Sequence, residues 1–460
     1  MTKLQSQINN NWRLAGPGDL RVIPYVIASL LIFSGLALSV RMIVIDDFWP
    51  HTGDLGVYLN AGDAIAQGKS PYDIDFEHDL NGYAYPPLFA ELIAALTFVL
   101  GDGKLWIIWS ISSLGLLAGC IVLMLRAFGS KTDYRWVLLI VGVAMASRMV
   151  RGESYHGQIN ILLLLLLLLG LKALLSGRVF SASVAWAVMI VLKPFMGIIV
   201  IYQLRRQAWK CAILTAAIAC VLFAASFLPV FPNVIQTFVG WIKTSHAHTS
   251  LPFIAKPGNQ SFYGLFNRLF AESIFSEPWI DAPWLIGILM LPIIGAALII
   301  FLRTVPSQPI VRPSSRPNDG LYALLEVGLV MALSLSCGPL LEGDYVFFML
   351  PGLFATVMLA CIQIKDYQRR ILWLSAAAWF VGLAAVVPPI TVKILEPYVW
   401  SLKLSGLTIL GTARVCVSLF IAAMLYAAAL RRDRSIANGA VPVANQNPEF
   451  SLETAPKIGA

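Results

Sequence analysis

The strongest constraint in this sequence is the recurrence of apolar runs about as long as a bilayer is thick. A membrane-crossing helix needs about 20 apolar residues. Runs of that kind, some shorter, occupy roughly 22–41, 105–125, 136–150, 159–175, 210–228, 283–302, 320–337, 345–362, 371–387 and 405–430. Hydrophobic residues make up 58% of the chain and charged residues 13%, against about 45–50% and ~25% in soluble domains. A soluble enzyme, a disordered protein and a nucleic-acid-binding domain are excluded. The run after Arg21 carries no small-residue cleavage site and reads as a span, not a signal peptide. The six cysteines lie in or beside apolar runs, with no Cys-x-x-Cys pair, and read as small apolar fillers.

The stretch 179–204 has Lys193-Pro194 at its middle. Proline costs about 3 kcal/mol inside a helix and a mid-membrane lysine about 2.5–3.5 kcal/mol. The stretch therefore reads as two short helices meeting at Lys193-Pro194. The positive-inside rule agrees. With the N-terminus in the cytoplasm and about twelve spans, 21 of the 33 basic residues fall inside and 17 of the 25 acidic residues outside. One uninterrupted span would put Arg205, Arg206 and Lys210 on the opposite face from Arg431, Arg432 and Arg434.

The expected organisation is an all-α, multi-pass protein of the plasma (inner) membrane. Residues 1–21 are a cytoplasmic N-terminus, 22–430 a polytopic domain with external loops 42–104 and 229–282, and 431–460 a cytoplasmic tail, disordered from about 435. The segment 86–100, which opens Pro86-Pro87 and is short for a span, reads as an interfacial or re-entrant helix of the first external loop. Residues 304–318 read as a flexible joint.

All five histidines fall in segments predicted to be external, so a site would open outside. Most first-loop acids look like turn and surface carboxylates. Asp54 differs: it precedes a helical pattern through Ala66, where it either caps the helix or faces a cavity. Asp46-Asp47 is a conceivable ion site, but a metal-free site is the preferred reading. A second cluster, Arg148, Arg151, Glu153, His156, Gln158 and Asn160, sits where the fourth span begins. Paired arginines at a helix start form a phosphate site; the alternative is a surface Arg151–Glu153 pair of about 0–1 kcal/mol. Lys193 is a further external-side cation, at a break of the kind tolerated where it lines a cavity or is buried in protein. The loop 229–282 holds Lys243, His246, His248, Asn259, Gln260 and Arg268 among aromatics. Amides and rings there suit sugar binding; a polar loop with interfacial aromatics is the alternative. His246-x-His248 is weak evidence for a metal. Glu342 and Asp344 occupy a tight external turn, and Arg414 lies within the last span.

Three stretches of the first loop, Asp54-Leu55-Gly56-Val57-Tyr58, Ala66-Gln67-Gly68-Lys69-Ser70-Pro71-Tyr72 and Tyr85-Pro86-Pro87-Leu88, resemble the first-loop pattern of glycosyltransferase family 87. His156-Gly157-Gln158-Ile159-Asn160, the Lys193-Pro194 break and Asn259-Gln260-Ser261 follow in the family's order, and the resemblance spans roughly 20–430. It implies a GT-C fold, a polyprenol-phosphate-mannose-like donor, a lipid or glycan acceptor, an external active site and inversion at the anomeric carbon. It implies Asp54 as base, with Asp47, Tyr58 and Tyr85 supporting it. Arg148, Arg151, Lys193 and Arg268 then hold the donor phosphate. His156, Gln158, Asn160, Asn259, Gln260, Glu342 and Asp344 contact sugar or acceptor. One departure is Glu342-Gly343-Asp344-Tyr345, where many members carry histidine.

The chemistry agrees. A lipid phosphate is a good leaving group, so one base and a set of cations suffice, whereas glycosidases need two carboxylates. A nucleotide-sugar donor would need a cytoplasmic domain, for which no cytoplasmic loop is long enough. A transporter or flippase of a lipid-linked sugar also suits twelve spans and broken helices, but would need polar residues near the midplane and on both faces. An accessory subunit would leave the polar clusters idle. The orientation has a direct test: Asp75→Cys should label from outside intact cells and Lys131→Cys should not, and the reverse pattern would overturn the topology.

Overall fold

The computed structural model describes residues 23–44, 54–72, 82–128, 138, 141–142, 153, 157–250, 254–310, 318–341, 343–362, 366–384 and 414–439. Among these the regular structure is helical, apart from one isolated bridge between Ser273 and Ser276. Four helical stretches, Lys104–Phe128, Trp209–Val230, Trp284–Thr304 and Asp319–Cys337, are long and apolar enough to cross a membrane, and shorter apolar helices surround them. The protein is an all-α, multi-pass membrane protein.

Helix α1 (Ile23–Val44) leads to the first loop, which holds α2 (Asp54–Ala66) and α3 (Pro87–Leu100) packed on each other. Both helices fall where the sequence pattern put them. Gly62 allows their close approach, since a Cβ there would stand 3.0 Å from the Ala94 backbone nitrogen. Pro87 opens α3 at N1, where its missing N–H costs nothing. Helix α4 (Asp102–Phe128) follows, then α5 (Asn160–Leu175) and α6 (Val179–Leu192).

Lys193, in extended conformation, ends α6; a 3₁₀ turn (Pro194–Gly197) and the short α7 (Ile198–Arg205) follow. The next helix, α8 (Trp209–Ala225), shows which way the chain runs. Ser183 Oγ near the start of α6 donates to Cys211 O at 3.2 Å, and Gln203 Nε2 near the end of α7 donates to Thr215 Oγ1 at 3.0 Å. In one continuous helix, Ser183 and Gln203 would lie about 30 Å apart. Their partners, one turn apart on α8, are about 6 Å apart by the same geometry. The chain therefore reverses at 193–197, as the two-helix reading requires.

The loop after α8 is more helical than the sequence reading allowed. It carries α9 (Val234–Ala247) and α10 (Phe262–Phe270). Helix α9 packs on the first loop: Gly240 lies against Tyr72, and Ser245 Oγ donates to Ala84 O at 3.3 Å. Its opposite face, Ile235, Phe238, Val239 and Ile242, is exposed at helical spacing.

Helix α11 (Trp284–Thr304) ends under Arg205, whose guanidinium donates to Leu302 O at 2.8 Å and Val305 O at 3.0 Å. That arrangement supplies both hydrogen bonds and favourable charge to orphan carbonyls at a helix C-terminus. The central helix α12 (Asp319–Cys337) is buried on nearly every side, as its apolar circumference requires. Its Glu326 accepts from Tyr202 Oη at 3.2 Å and pairs with Arg206 at 3.4 Å. After a 3₁₀ segment (Gly343–Met349) come α13 (Leu350–Ile362), α14 (Asp366–Ala384) and α15 (Arg414–Gly439). Helices α12 and α13 touch backbone to backbone: a Cβ on Gly328 would stand 2.4 Å from Gly352 N. Small residues permit such crossings in membranes. Helix α15 continues past the predicted boundary at 430, and 440–460 lie outside the described residues.

Candidate active site

Lys193 is the centre of the site. Its side chain is 1% exposed, and an ammonium that deep requires partners. Nζ donates to Asn160 Oδ1 at 2.8 Å and Gln158 Oε1 at 3.1 Å. It also stands 4.6 Å from the Tyr345 ring centroid and 5.4 Å from that of Tyr85, within range of cation–π attraction. The helix break places it here: a lysine continuing α6 would follow the helix face, whereas the extended Lys193 crosses to the start of α5, where Asn160 is the first helical residue.

Gln158 Oε1 also accepts from Tyr58 Oη at 3.3 Å, tying the first-loop helix α2 to the broken helix. Burial pushes the Tyr58 hydroxyl well above its ordinary pKa, and the neighbouring Tyr85 and Asp54 push it further. Tyr58 thus stays protonated and donates. Asp54 lies in the first turn of α2, one turn before Tyr58, and is half-buried.

An aromatic layer holds this arrangement from the first-loop side. Tyr58 meets Phe89, Tyr85 and Tyr83 edge-on at 4.7, 5.7 and 6.5 Å between centroids. Tyr72 Oη donates to Tyr85 O at 2.6 Å. Tyr83 Oη donates to Pro86 O at 2.8 Å and accepts from Ala90 N at 3.1 Å, closing the start of α3. On the other side, Glu153 accepts from Asn160 Nδ2 at 3.1 Å and Ile161 N at 3.0 Å.

Asn259, Gln260 and Arg268 form a second cluster. Arg268, fully buried on α10, donates to Lys256 O and Asn259 O, both at 2.8 Å. Burial lowers its pKa to about 10, so it remains charged at neutral pH. Asn259 Nδ2 donates to Pro339 O at 2.7 Å and Oδ1 accepts from Leu341 N at 2.9 Å. Gln260 N donates to Leu341 O at 2.7 Å, and Ser261 Oγ caps α10 through Gly264 N at 2.9 Å. These bonds clamp 254–261 to the turn 339–341, four residues before Tyr345 of the first cluster. The motif read as a sugar binder acts here as a backbone clamp.

Asp47, Arg148, Arg151, His156 and Glu342 lie outside the described residues, as does the side chain of Asp344, whose backbone is in the 3₁₀ segment. Tyr83 and Glu91 escaped the sequence reading. Glu91 is a further half-buried first-loop acid, close enough to act electrostatically on Tyr72 and Tyr83. Its signal was a lone carboxylate inside the apolar run 86–100.

The model of glycosyltransferase family 87 matches residues 83–335. The chain belongs to glycosyltransferase family 87. It is a membrane glycosyltransferase. The matched stretch contains Tyr85, Gln158, Asn160, Lys193, Asn259 and Arg268; Asp54 and Tyr58 precede it. Two solved structures are similar at low level, both of ArnT from Cupriavidus metallidurans. The one bound to undecaprenyl phosphate is 15% identical, covers 91% of this chain and 79% of its own, and has a TM-score of 0.37. The apo form is 16% identical, covers 89% and 78%, and has a TM-score of 0.34. A search of curated proteins found no match.

Gly157 joins the two halves of the site. Its φ is +65°, and a Cβ there would stand 2.4 Å from Leu55 Cβ, beside Asp54. Gly177 has φ +74° and open space around it. Gly157→Ala and Gly177→Ala should share a backbone cost of about 1–2 kcal/mol, but only Gly157→Ala should also displace α2. Sugar transfer by purified variants should fall at least about tenfold more for Gly157→Ala, as expected when a reacting group moves by about 1 Å. Equal effects would separate Gly157 from the site.

Proposed function

We propose that this chain transfers a sugar, with mannose the expected one, from a polyprenyl-phosphate donor to a hydroxyl of a lipid or glycan acceptor. Transfer occurs with inversion, on the external face of the plasma membrane, within a GT-C architecture. The observation that carries the reading is the buried ammonium of Lys193, held by amide oxygens and aromatic faces and joined through Gln158 and Tyr58 to the helix of Asp54. Family membership favours this reading over the transporter alternative.

Asp54 takes the proton of the acceptor hydroxyl as its oxygen attacks the anomeric carbon. The bond from that carbon to the phosphate oxygen breaks, and the polyprenyl phosphate leaves with the electron pair. Lys193, with Arg148 and Arg151, stabilises the departing phosphate charge, so no second carboxylate is needed to protonate it. Gln158 and Asn160 hold Lys193. Arg268, expected from the sequence to hold the phosphate, is buried on backbone carbonyls and contributes with Asn259 and Gln260 by fixing the turn that presents Tyr345, while Glu342 and Asp344 contact sugar or acceptor.

Asp54→Asn preserves size and capping, because Asn caps about as well as Asp. The protein should insert normally, and its transfer rate from a labelled polyprenyl-phosphate sugar should fall about 10²–10⁴-fold. Near-normal transfer would make Asp54 a helix cap only; loss in Asp47→Asn instead would move the base there. Lys193→Ala should weaken undecaprenyl-phosphate binding by about 1.5–3 kcal/mol, the range for charged hydrogen bonds. Unchanged binding in Lys193→Ala, Arg148→Ala and Arg151→Ala alike would reject the phosphate assignment.

A further inference from the structure

Glu153 is 1% exposed, and both of its carboxylate oxygens are engaged: Oε2 accepts from Asn160 Nδ2 at 3.1 Å and Oε1 from Ile161 N at 3.0 Å. The second contact satisfies an orphan N–H in the first turn of α5. The first has a different consequence. The Asn160 amide lies between an acceptor-only carboxylate and a donor-only ammonium. Only one orientation satisfies both, with Nδ2 toward Glu153 and Oδ1 toward Lys193 at 2.8 Å. The reverse orientation would aim the amide N–H groups at the ammonium and its oxygen at the carboxylate.

We propose that Glu153 is a positioning residue for transfer: its buried carboxylate locks the Asn160 amide, and the locked amide holds Lys193 in place and shares the counter-charge its burial demands. The inference rests on the reading of Lys193 as a donor-phosphate ligand for its effect on catalysis, but not for the relay itself. A glutamine at position 153 has a single acceptor oxygen to offer the Ile161 N–H and the Asn160 amide. If that oxygen keeps Ile161 N, its Nε2 faces Asn160 and turns the Asn160 oxygen away from Lys193.

The decisive experiment is a swap. Glu153→Gln, Asn160→Asp and the double variant would be purified in detergent beside the wild type. In the double variant the amide oxygen introduced at position 153 takes Ile161 N, the amide nitrogen beside it donates to the new carboxylate at position 160, and that carboxylate faces Lys193. The relay is rebuilt with the charge moved from one side chain to the other. Two readouts are taken. One is the acetylation rate of Lys193 with acetic anhydride at fixed pH, followed by mass spectrometry without substrate. The other is steady-state transfer from a labelled polyprenyl-phosphate sugar.

Glu153→Gln should raise the acetylation rate about tenfold and donor KM by a similar factor, with kcat changed less, because one charge-assisted bond to Lys193 is rearranged. The double variant should return both to within about threefold of wild type. A Glu153→Gln protein matching wild type in both readouts would show that Glu153 only caps α5, a task glutamine performs. A double variant no better than Glu153→Gln would also overturn the relay. If Glu153→Gln fails to insert, a folded double variant with protected Lys193 supports the relay and an unfolded one overturns it. If wild type transfers nothing from the polyprenyl donor while the acetylation pattern holds, the donor assignment fails and the relay stands.

Discussion

A buried ammonium at a helix break organises one end of this protein. Lys193 loses its hydration, and the groups that replace it include two amide oxygens at 2.8 and 3.1 Å and two aromatic faces. The break makes this possible. Proline at 194 ends the helical ladder, and the reversal turns the lysine toward the start of α5. Breaks at membrane depth persist where protein surrounds them, and here α5, the first loop and the 3₁₀ segment do so.

The first loop acts as a structural wall. Its tyrosines have apolar bodies that pack on each other and hydroxyls that find carbonyls, the combination that lets buried Tyr stabilise without an unsatisfied polar group. Tyr83 and Tyr72 fix the entry into α3, and Tyr58 carries the wall's hydrogen bonding into the Lys193 cluster through Gln158. Asp54, one turn before Tyr58 on the same helix, is held by a rigid support. The clamp built by Asn259 and Arg268 does the same for the turn leading to Tyr345. Helix α9, braced on Tyr72 and Ala84, links the loop after α8 to that wall.

Some of this was legible in the sequence and some was not. Lys193-Pro194 stood out because each residue is costly in a helix at membrane depth, and the reversal there followed from the charge pattern. Helices α2 and α3 were legible from N-terminal signals and apolar runs. Helix α9 was not legible, although Ile235, Phe238, Val239 and Ile242 carry helical spacing, because that stripe is short and interspersed with polar residues in a segment that lacks a span-length apolar run. Asn259 was read as a sugar ligand, yet its amide is fully buried and spends its hydrogen bonds on backbone. Amides serve both tasks, and burial, which a sequence does not display, separates them.

The sequence by itself determined the all-helical, multi-pass class and the position of the break. These follow from rules that act along the chain: run length against bilayer thickness, proline against the helical ladder, and basic clusters that require the chain to turn back at 193–197. Only the tertiary structure decided which polar groups meet. Gln158 and Asn160 reach Lys193 across 35 and 33 residues, and Tyr58 reaches Gln158 across 100. Contacts at such separations depend on how helices pack and on which face each turns inward. One apolar helix in lipid leaves those choices open, and they are made when the buried charge of Lys193 must be matched by every element around it.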